Sequence, residues 1–254
     1  MNLRFDLDIA SQYKSNAQII RVLTESWMAK NMFCPICGEV NLVQYESNRP
    51  VADFHCSRCG EQFELKSKHG VMGMRINDGA YSTMIERITS QTNPNFFFLT
   101  YTNYCVDNLM LIPNHFFTPE IIERRNPLSP SAKRAGWVGC NINIQTIPNS
   151  GKIYIVKQGE QVARDIVIEN YSRSKSLLTT NLDSRGWIMD VLSCLDRVQS
   201  SSFELRDIYA FEDELRIKHP NNNHIRDKIR QQLQYLRDRG FVEFTNRGCY
   251  RKIL

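Results

Sequence analysis

Four cysteines come first among the residues able to do chemistry: Cys34 and Cys37 form one Cys-x-x-Cys pair, Cys56 and Cys59 a second, with 18 residues between the pairs. That spacing suits a tetrahedral four-thiolate zinc site, in which two hairpin knuckles are brought together around Zn²⁺. Four thiolates fill the coordination sphere, so the expected zinc is structural and leaves no open position for water or substrate. One Cys-x-x-Cys pair can be a redox motif or an accident; two at this separation favour metal. Cys105, Cys140, Cys194 and Cys249 have no such spacing and read as ordinary thiols.

The second pair interrupts the stretch Asp53-Phe-His-Cys-Ser-Arg-Cys-Gly-Glu-Gln-Phe-Glu64-Leu-Lys66. Hydrolysis of a phosphodiester needs a metal to polarise the phosphate, a nucleophilic water and stabilisation of developing charge, so two carboxylates and a lysine make an economical set. Asp53 and Glu64 can hold Mg²⁺. Lys66 lies two residues from Glu64, on the same face of a strand, where it can orient or deprotonate the attacking water. Glu-x-Lys alone carries little weight, because charged alternation on an exposed strand produces it often, and Lys66, Lys68 and Arg75 would equally solvate an edge strand. The context is what raises it: Asp53 stands three residues before the knuckle, and apolar Phe54, Phe63 and Leu65 alternate with the polar set.

Several elements must position these groups. Tyr13, Ala17, Ile20, Leu23 and Trp27 recur at helical spacing, with Ser15 and Gln18 as a capping box. Segments 51–55 and 62–66 read as a hairpin whose tip is held by metal, 78–91 as a helix, and 95–102, 108–112 and 152–157 as strands. This predicts a mixed α/β sheet flanked by helices. Between Arg124 and Asn141, two prolines, two glycines and four basic residues surround Trp137. Such a long loop is uncommon unless functional, which makes Lys133, Arg134 and Trp137 candidates for nucleic-acid contact, against the ordinary reading of Trp137 as core.

The polar stretch 172–184 reads as a linker between a domain at 1–182 and one at 183–254. Beyond it, helical patterns at 185–198, 205–215 and 224–239 precede two strand-like segments around Asn246-Arg-Gly, which together describe a winged helix. From Lys218 onward nine Lys or Arg face three acids, a net of +6, so the rest of the chain carries −1 of the total +5. A basic terminal domain favours a polyanion, because neutralised phosphates release counterions, although a solvated charged helix gives the same composition. Asn222, Asn223, His224, Arg226, Lys228, Arg230 and Gln231 are the types a groove-entering helix presents to bases, with Arg247 and Tyr250 on the wing near the backbone. A winged helix that binds protein is the alternative.

With 42% hydrophobic residues in 254, a sizeable core is expected. No apolar run nears the roughly 18 residues that span a bilayer, so no membrane association is expected. The polar start shows no secretory signal, which points to reduced thiols and a soluble, intracellular protein.

The stretches Asn48-Arg-Pro-Val-Ala-Asp-Phe, Phe63-Glu-Leu-Lys-Ser-Lys, Ile76-Asn-Asp-Gly-Ala-Tyr, Asn93-Pro-Asn-Phe-Phe-Phe-Leu-Thr-Tyr-Thr, Arg134-Ala-Gly-Trp, Gly139-Cys-Asn-Ile and Asn222-Asn-His-Ile closely resemble the methyl-directed (type IIM) restriction endonucleases over essentially the whole chain. The resemblance implies an α/β PD-(D/E)xK nuclease domain with an inserted four-cysteine zinc site, followed by a winged-helix domain, both recognising GATC that carries 6-methyladenine. It implies Mg²⁺-dependent cleavage of double-stranded DNA between methyladenine and thymine to blunt ends, by a monomer in the cytoplasm of a prokaryotic cell. Asp53, Glu64 and Lys66 become the catalytic set, with the Leu65 carbonyl as a further Mg²⁺ ligand. Ala52 stands where the general pattern has proline, a position with no chemical role. The competing class is a zinc-containing winged-helix regulator that binds DNA without cutting it.

Overall fold

The computed structural model describes residues 1–46 and 52–253; Asn48 to Val51, part of the first matching stretch and of the expected first hairpin strand, lie outside them. The strands of the large sheet are β1 (Val43–Gln44), β2 (Phe54–His55), β3 (Gln62–His69), β5 (Asn95–Thr102), β6 (Cys105–Ile112), β9 (Ile153–Lys157) and β10 (Glu160–Gln161). A smaller sheet comprises β4 (Arg75–Ala80), β7 (Ile122–Arg124) and β8 (Gly139–Asn143). The large sheet has the order β1-β2-β3-β5-β6-β9-β10, and the small one β4-β8-β7. Among the described residues only β3 and β5 of these two sheets pair in parallel; the other neighbouring pairs are antiparallel.

β5 explains why the sheet sits in the middle. Side chains alternate across a strand, and here both faces are apolar: Phe96 and Phe98 join one buried cluster with Met110 and Ile112, while Phe97 and Leu99 join another with Leu109 and Leu111. The second face is covered by α1 (Asn16–Asn31) through Leu23, Trp27 and Met28, and by α3 (Arg164–Lys175) through Val167 and Tyr171. The first is covered by α2 (Tyr81–Thr89), by the small sheet and by the C-terminal helices.

Those helices are α4 (Leu182–Arg197), α5 (Leu205–Tyr209), α6 (Glu212–Lys218) and α7 (Ile225–Asp238), followed by a hairpin of β12 (Val242–Asn246) and β13 (Cys249–Lys252). A short strand, β11 (Ser202–Glu204), joins that hairpin to make a sheet of order β11-β13-β12. Ile225, Ile229, Leu233 and Leu236 bury one face of α7, as their spacing predicts. The protein is a mixed α/β domain with a four-cysteine cluster followed by a helix-turn-helix domain with a hairpin wing. Phe116 and Phe117 share one buried cluster with Trp187, Ile188 and Leu192, so the core continues from one domain into the other. Among the described residues no helix is long and apolar enough to cross a membrane.

Four details depart from the sequence pattern. The expected helix at 78–91 begins only at Tyr81, because Arg75 to Ala80 pair with β8 and tertiary pairing overrides local preference. The expected linker at 172–184 shrinks, since α3 extends to Lys175 and α4 starts at Leu182; buried Tyr171, Ser174 and Leu177 hold a stretch whose composition looks unstructured. The helix at 205–215 is broken into α5 and α6, the second opening with Glu212, Asp213 and Glu214, which suit a helix N-terminus. Ser15 does precede α1, yet its side chain makes no cap bond.

Candidate functional site

The two cysteine pairs fold into the same backbone shape. In the first, Gly38 N–H donates to the Cys34 carbonyl (2.9 Å) and Cys34 N–H to the Glu39 carbonyl (2.8 Å); in the second, Gly60 donates to Cys56 and Cys56 to Glu61, both at 2.9 Å. Gly38 and Gly60 have φ of 76° and 75°, a conformation that glycine adopts without steric cost. A zinc with Zn–S bonds of about 2.3 Å places its sulfurs about 3.8 Å apart. The Sγ atoms of Cys34 and Cys59 are 3.7 Å apart, those of Cys37 and Cys56 3.5 Å, and all four lie within 4.8 Å of one another. The donor set and its size therefore fit a structural zinc. Burial pushes the Cys34 thiol up, and Cys59 up to about 11. At Cys56 burial acts in the same direction, but N–H groups of Cys59 and Arg58 prevail and lower it, favouring the thiolate a metal requires.

The Cys56/Cys59 knuckle is the tip of the β2–β3 hairpin, in which Phe54 faces Phe63 and His55 faces Gln62. Asp53 and Glu64 are consequently brought to the base of that hairpin. Asp53 is tied in by its N–H to the Phe63 carbonyl (2.9 Å), and its Oδ2 accepts from Leu65 N–H at 2.7 Å. A strand residue turns its N–H and C=O to the same edge, so the Leu65 carbonyl faces the Asp53 side of β3.

Glu64 and Lys66 share the other direction of alternation. Lys66 Nζ lies 2.5 Å from Glu64 Oε1 and also bonds Asp78 Oδ1. Arg87 Nη1, from α2, approaches Glu64 Oε2 at 3.6 Å, too far for a hydrogen bond, and that buried oxygen has no hydrogen-bond partner among the described residues. Burial pushes the Glu64 carboxyl up, against the pull of Lys66. Burial acts to lower Lys66, yet Glu64 and Asp78 together outweigh it and hold the ammonium charged. Glu64 thus has a buried carboxylate oxygen without a donor, and Asp53 is near enough to act on it electrostatically; two carboxylates and the Leu65 carbonyl are hard oxygen donors of the kind Mg²⁺ takes. Sequence reasoning misses Asp78 and Arg87: it assigns Asp78 to a helix, and no local spacing links either residue to Lys66.

The long loop proves to be the connection between β7 and β8. Backbone bonds from Arg125 to Gly139, Leu128 to Trp137 and Gly136 to Leu128 order it, with Lys133 and Arg134 exposed. Trp137 is half-buried, with the Arg134 guanidinium 4.4 Å from its ring centroid. A Cβ at Gly139 would lie 2.8 Å from the Trp137 ring, so only glycine lets the indole rest there.

In the second domain Asn222, Asn223 and His224 lie in the turn before α7, with Asn222 Oδ1 accepting from His224 N–H at 2.8 Å, rather than on the helix itself. Arg226 bonds Glu212 at 2.6 Å and stacks over Tyr209, Arg230 bonds Asp227 and the Tyr209 hydroxyl, and Gln231 is exposed. Lys228 is half-buried with Nζ 5.9 Å from the Trp187 ring centroid. Arg247 is exposed in the wing turn, while Tyr250 packs on Phe203 with ring centroids 5.3 Å apart.

A sheet-rich domain with a four-cysteine cluster and an acidic-lysine cluster, followed by a helix-turn-helix, defines a two-domain DNA-binding protein. Residues 1–180 match the family model DpnI, described as the Dam-replacing family, and residues 183–252 match DpnI_C, described as the Dam-replacing HTH domain. The chain belongs to the DpnI family, the methyl-directed restriction endonucleases its motifs resemble.

Proposed function

We propose that this protein is a methylation-dependent type II restriction endonuclease of the PD-(D/E)xK kind, cutting double-stranded DNA at GATC that contains 6-methyladenine, between methyladenine and thymine, to blunt ends. Residues 1–182 would cut and, together with residues 183–254, would read DNA, as a monomer. The observation that carries this reading is the convergence of Asp53, Glu64 and Lys66 at the base of one hairpin whose tip carries a cysteine pair of the four-cysteine cluster.

Asp53 and Glu64, with the Leu65 carbonyl, would hold Mg²⁺. When bound, Mg²⁺ supplies polarisation of the scissile phosphate and neutralisation of its developing charge. Lys66, held as an ammonium by Glu64 and Asp78, would aim the attacking water, whose proton passes to solvent. Asp53 keeps its orientation through the Leu65 N–H, and a zinc held by Cys34, Cys37, Cys56 and Cys59 would brace the tip of the same hairpin. Lys133, Arg134 and the turn and helix from Asn222 to Gln231, with Arg247, supply phosphate and base contacts. Trp137 offers an apolar face for methyl groups. Burying one methyl is worth about 0.8 kcal/mol, roughly fourfold in affinity, so two methyls of a fully methylated site, read by two domains, discriminate better than one.

Dam-methylated and unmethylated plasmid, each incubated with protein and Mg²⁺, test this directly. GATC fragments are expected from the methylated plasmid alone. Equal cutting of both would point to a nuclease indifferent to methylation, and binding without cutting to a regulator.

A further inference from the structure

Lys66 is bonded to two carboxylates, and only one of them, Glu64, has a part in the metal chemistry proposed for the site. The Asp78 side chain is the most buried of the three, 4% exposed against 15% for Glu64 and 24% for Lys66. A charge buried to that extent costs several kcal/mol of lost hydration unless a partner compensates it. Its partner is Lys66 Nζ, and the two arrive from different sheets. Lys66 is on β3 of the large sheet, whereas Asp78 is on β4 of the small one, held opposite Cys140 of β8, itself fully buried. Asp78 is therefore placed by a scaffold that does not depend on the hairpin carrying Asp53 and Glu64.

That independence matters if Glu64 gives an oxygen to Mg²⁺. A carboxylate shared with a divalent cation is a weaker partner for an ammonium, and the cation itself repels the lysine. Lys66 then needs a second anchor outside the metal's ligand set. We propose that Asp78 is the positioning residue of this site: it retains Lys66, aimed at the attacking water, once Glu64 is engaged with the metal. This rests on the nuclease reading of Asp53, Glu64 and Lys66.

The test compares full-length wild type, Asp78→Asn and Asp78→Glu on a methylated duplex with one GATC site, in single-turnover cleavage over a range of Mg²⁺ concentrations. Asn keeps the shape and removes the charge. It should slow the cleavage step on the order of 10²-fold, the scale of a displaced catalytic group, with duplex affinity and half-saturating Mg²⁺ unchanged. Glu restores the charge and should recover part of the rate. A wild-type rate in Asp78→Asn would overturn the proposal. So would a rate restored by excess Mg²⁺, which would make Asp78 a metal ligand, or a joint loss of zinc content and melting temperature in both variants, which would make it structural. An inactive wild type would instead remove the nuclease reading, and this proposal with it.

Discussion

Lys66 and the arginines of α7 are both cations held by carboxylates, at very different depths. Around Lys66 the side chains are 4 to 24% exposed, whereas Arg226, Arg230 and Asp227 are 61, 48 and 62% exposed. An exposed pair such as Arg230 with Asp227 is worth about 0–1 kcal/mol, so a competing anion can displace Asp227 from Arg230 at little cost, whereas Glu212, 20% exposed, holds Arg226 from a partly buried position. Breaking a buried pair by removing one partner costs about 3–5 kcal/mol, so the groups around Lys66 stay where the fold puts them. The same residue types thus form exchangeable pairs where they are exposed and fixed ones where they are buried.

The contrast is most easily broken at Lys66. Lys66→Ala should lower cleavage by about 10³-fold or more, the scale for loss of a charged group that orients the reacting water, while the Kd for methylated duplex changes less than about threefold. Equal loss of binding, read by electrophoretic shift, would make the buried cluster a scaffold.

Cys56→Ser comes next. Loss of one thiolate should abolish stoichiometric zinc, measured by elemental analysis, and lower the Tm by on the order of 10 °C, since structural zinc contributes directly to folding. An unchanged Tm in the zinc-free variant would show that the hairpin holds itself.

His115 sharpens the comparison through pH. It is buried, its Nε2 2.9 Å from the Ser174 carbonyl at the end of α3, and burial pushes its pKa down to about 4. The folded state therefore binds fewer protons than the unfolded chain, whose histidine titrates near 6.5. Its contribution is complete above pH 6.5 and falls away as the pH drops towards 4, by about 3 kcal/mol in total. Denaturant titrations across that window should show the loss, and His115→Gln should flatten it.

The smallest effect belongs to α7. Arg226→Ala should leave stability within about 0.5 kcal/mol, weaken all duplexes similarly and lessen the salt dependence of binding by about one unit of slope. A slope unchanged from wild type would place that arginine away from phosphate.

Much of the hairpin site was legible because it is local. Cys34, Cys37, Cys56 and Cys59 announce their knuckles by spacing, and the glycine after each pair is a signal of the turn that could have been read as well. β5 was legible from four consecutive apolar residues, and α7 from a single apolar stripe. Other parts were hidden for physical reasons. β4 contains Asn77-Asp78-Gly79, poor strand formers, and is a strand only because β8, more than 60 residues later, pairs with it. α3 is polar along most of its length, and its few buried residues decide its fate.

The sequence by itself determined the paired cysteine knuckles, the acidic and lysine positions Asp53, Glu64 and Lys66 beside them and the basic character of the C-terminal domain, because spacing and charge are properties of neighbouring residues. Only the tertiary structure decided that Asp78 and Arg87 join that set, that Arg226 and Arg230 rest on intramolecular partners, and that Tyr250 packs on Phe203. Burial and long-range pairing made those choices, and both depend on where distant segments of the chain meet.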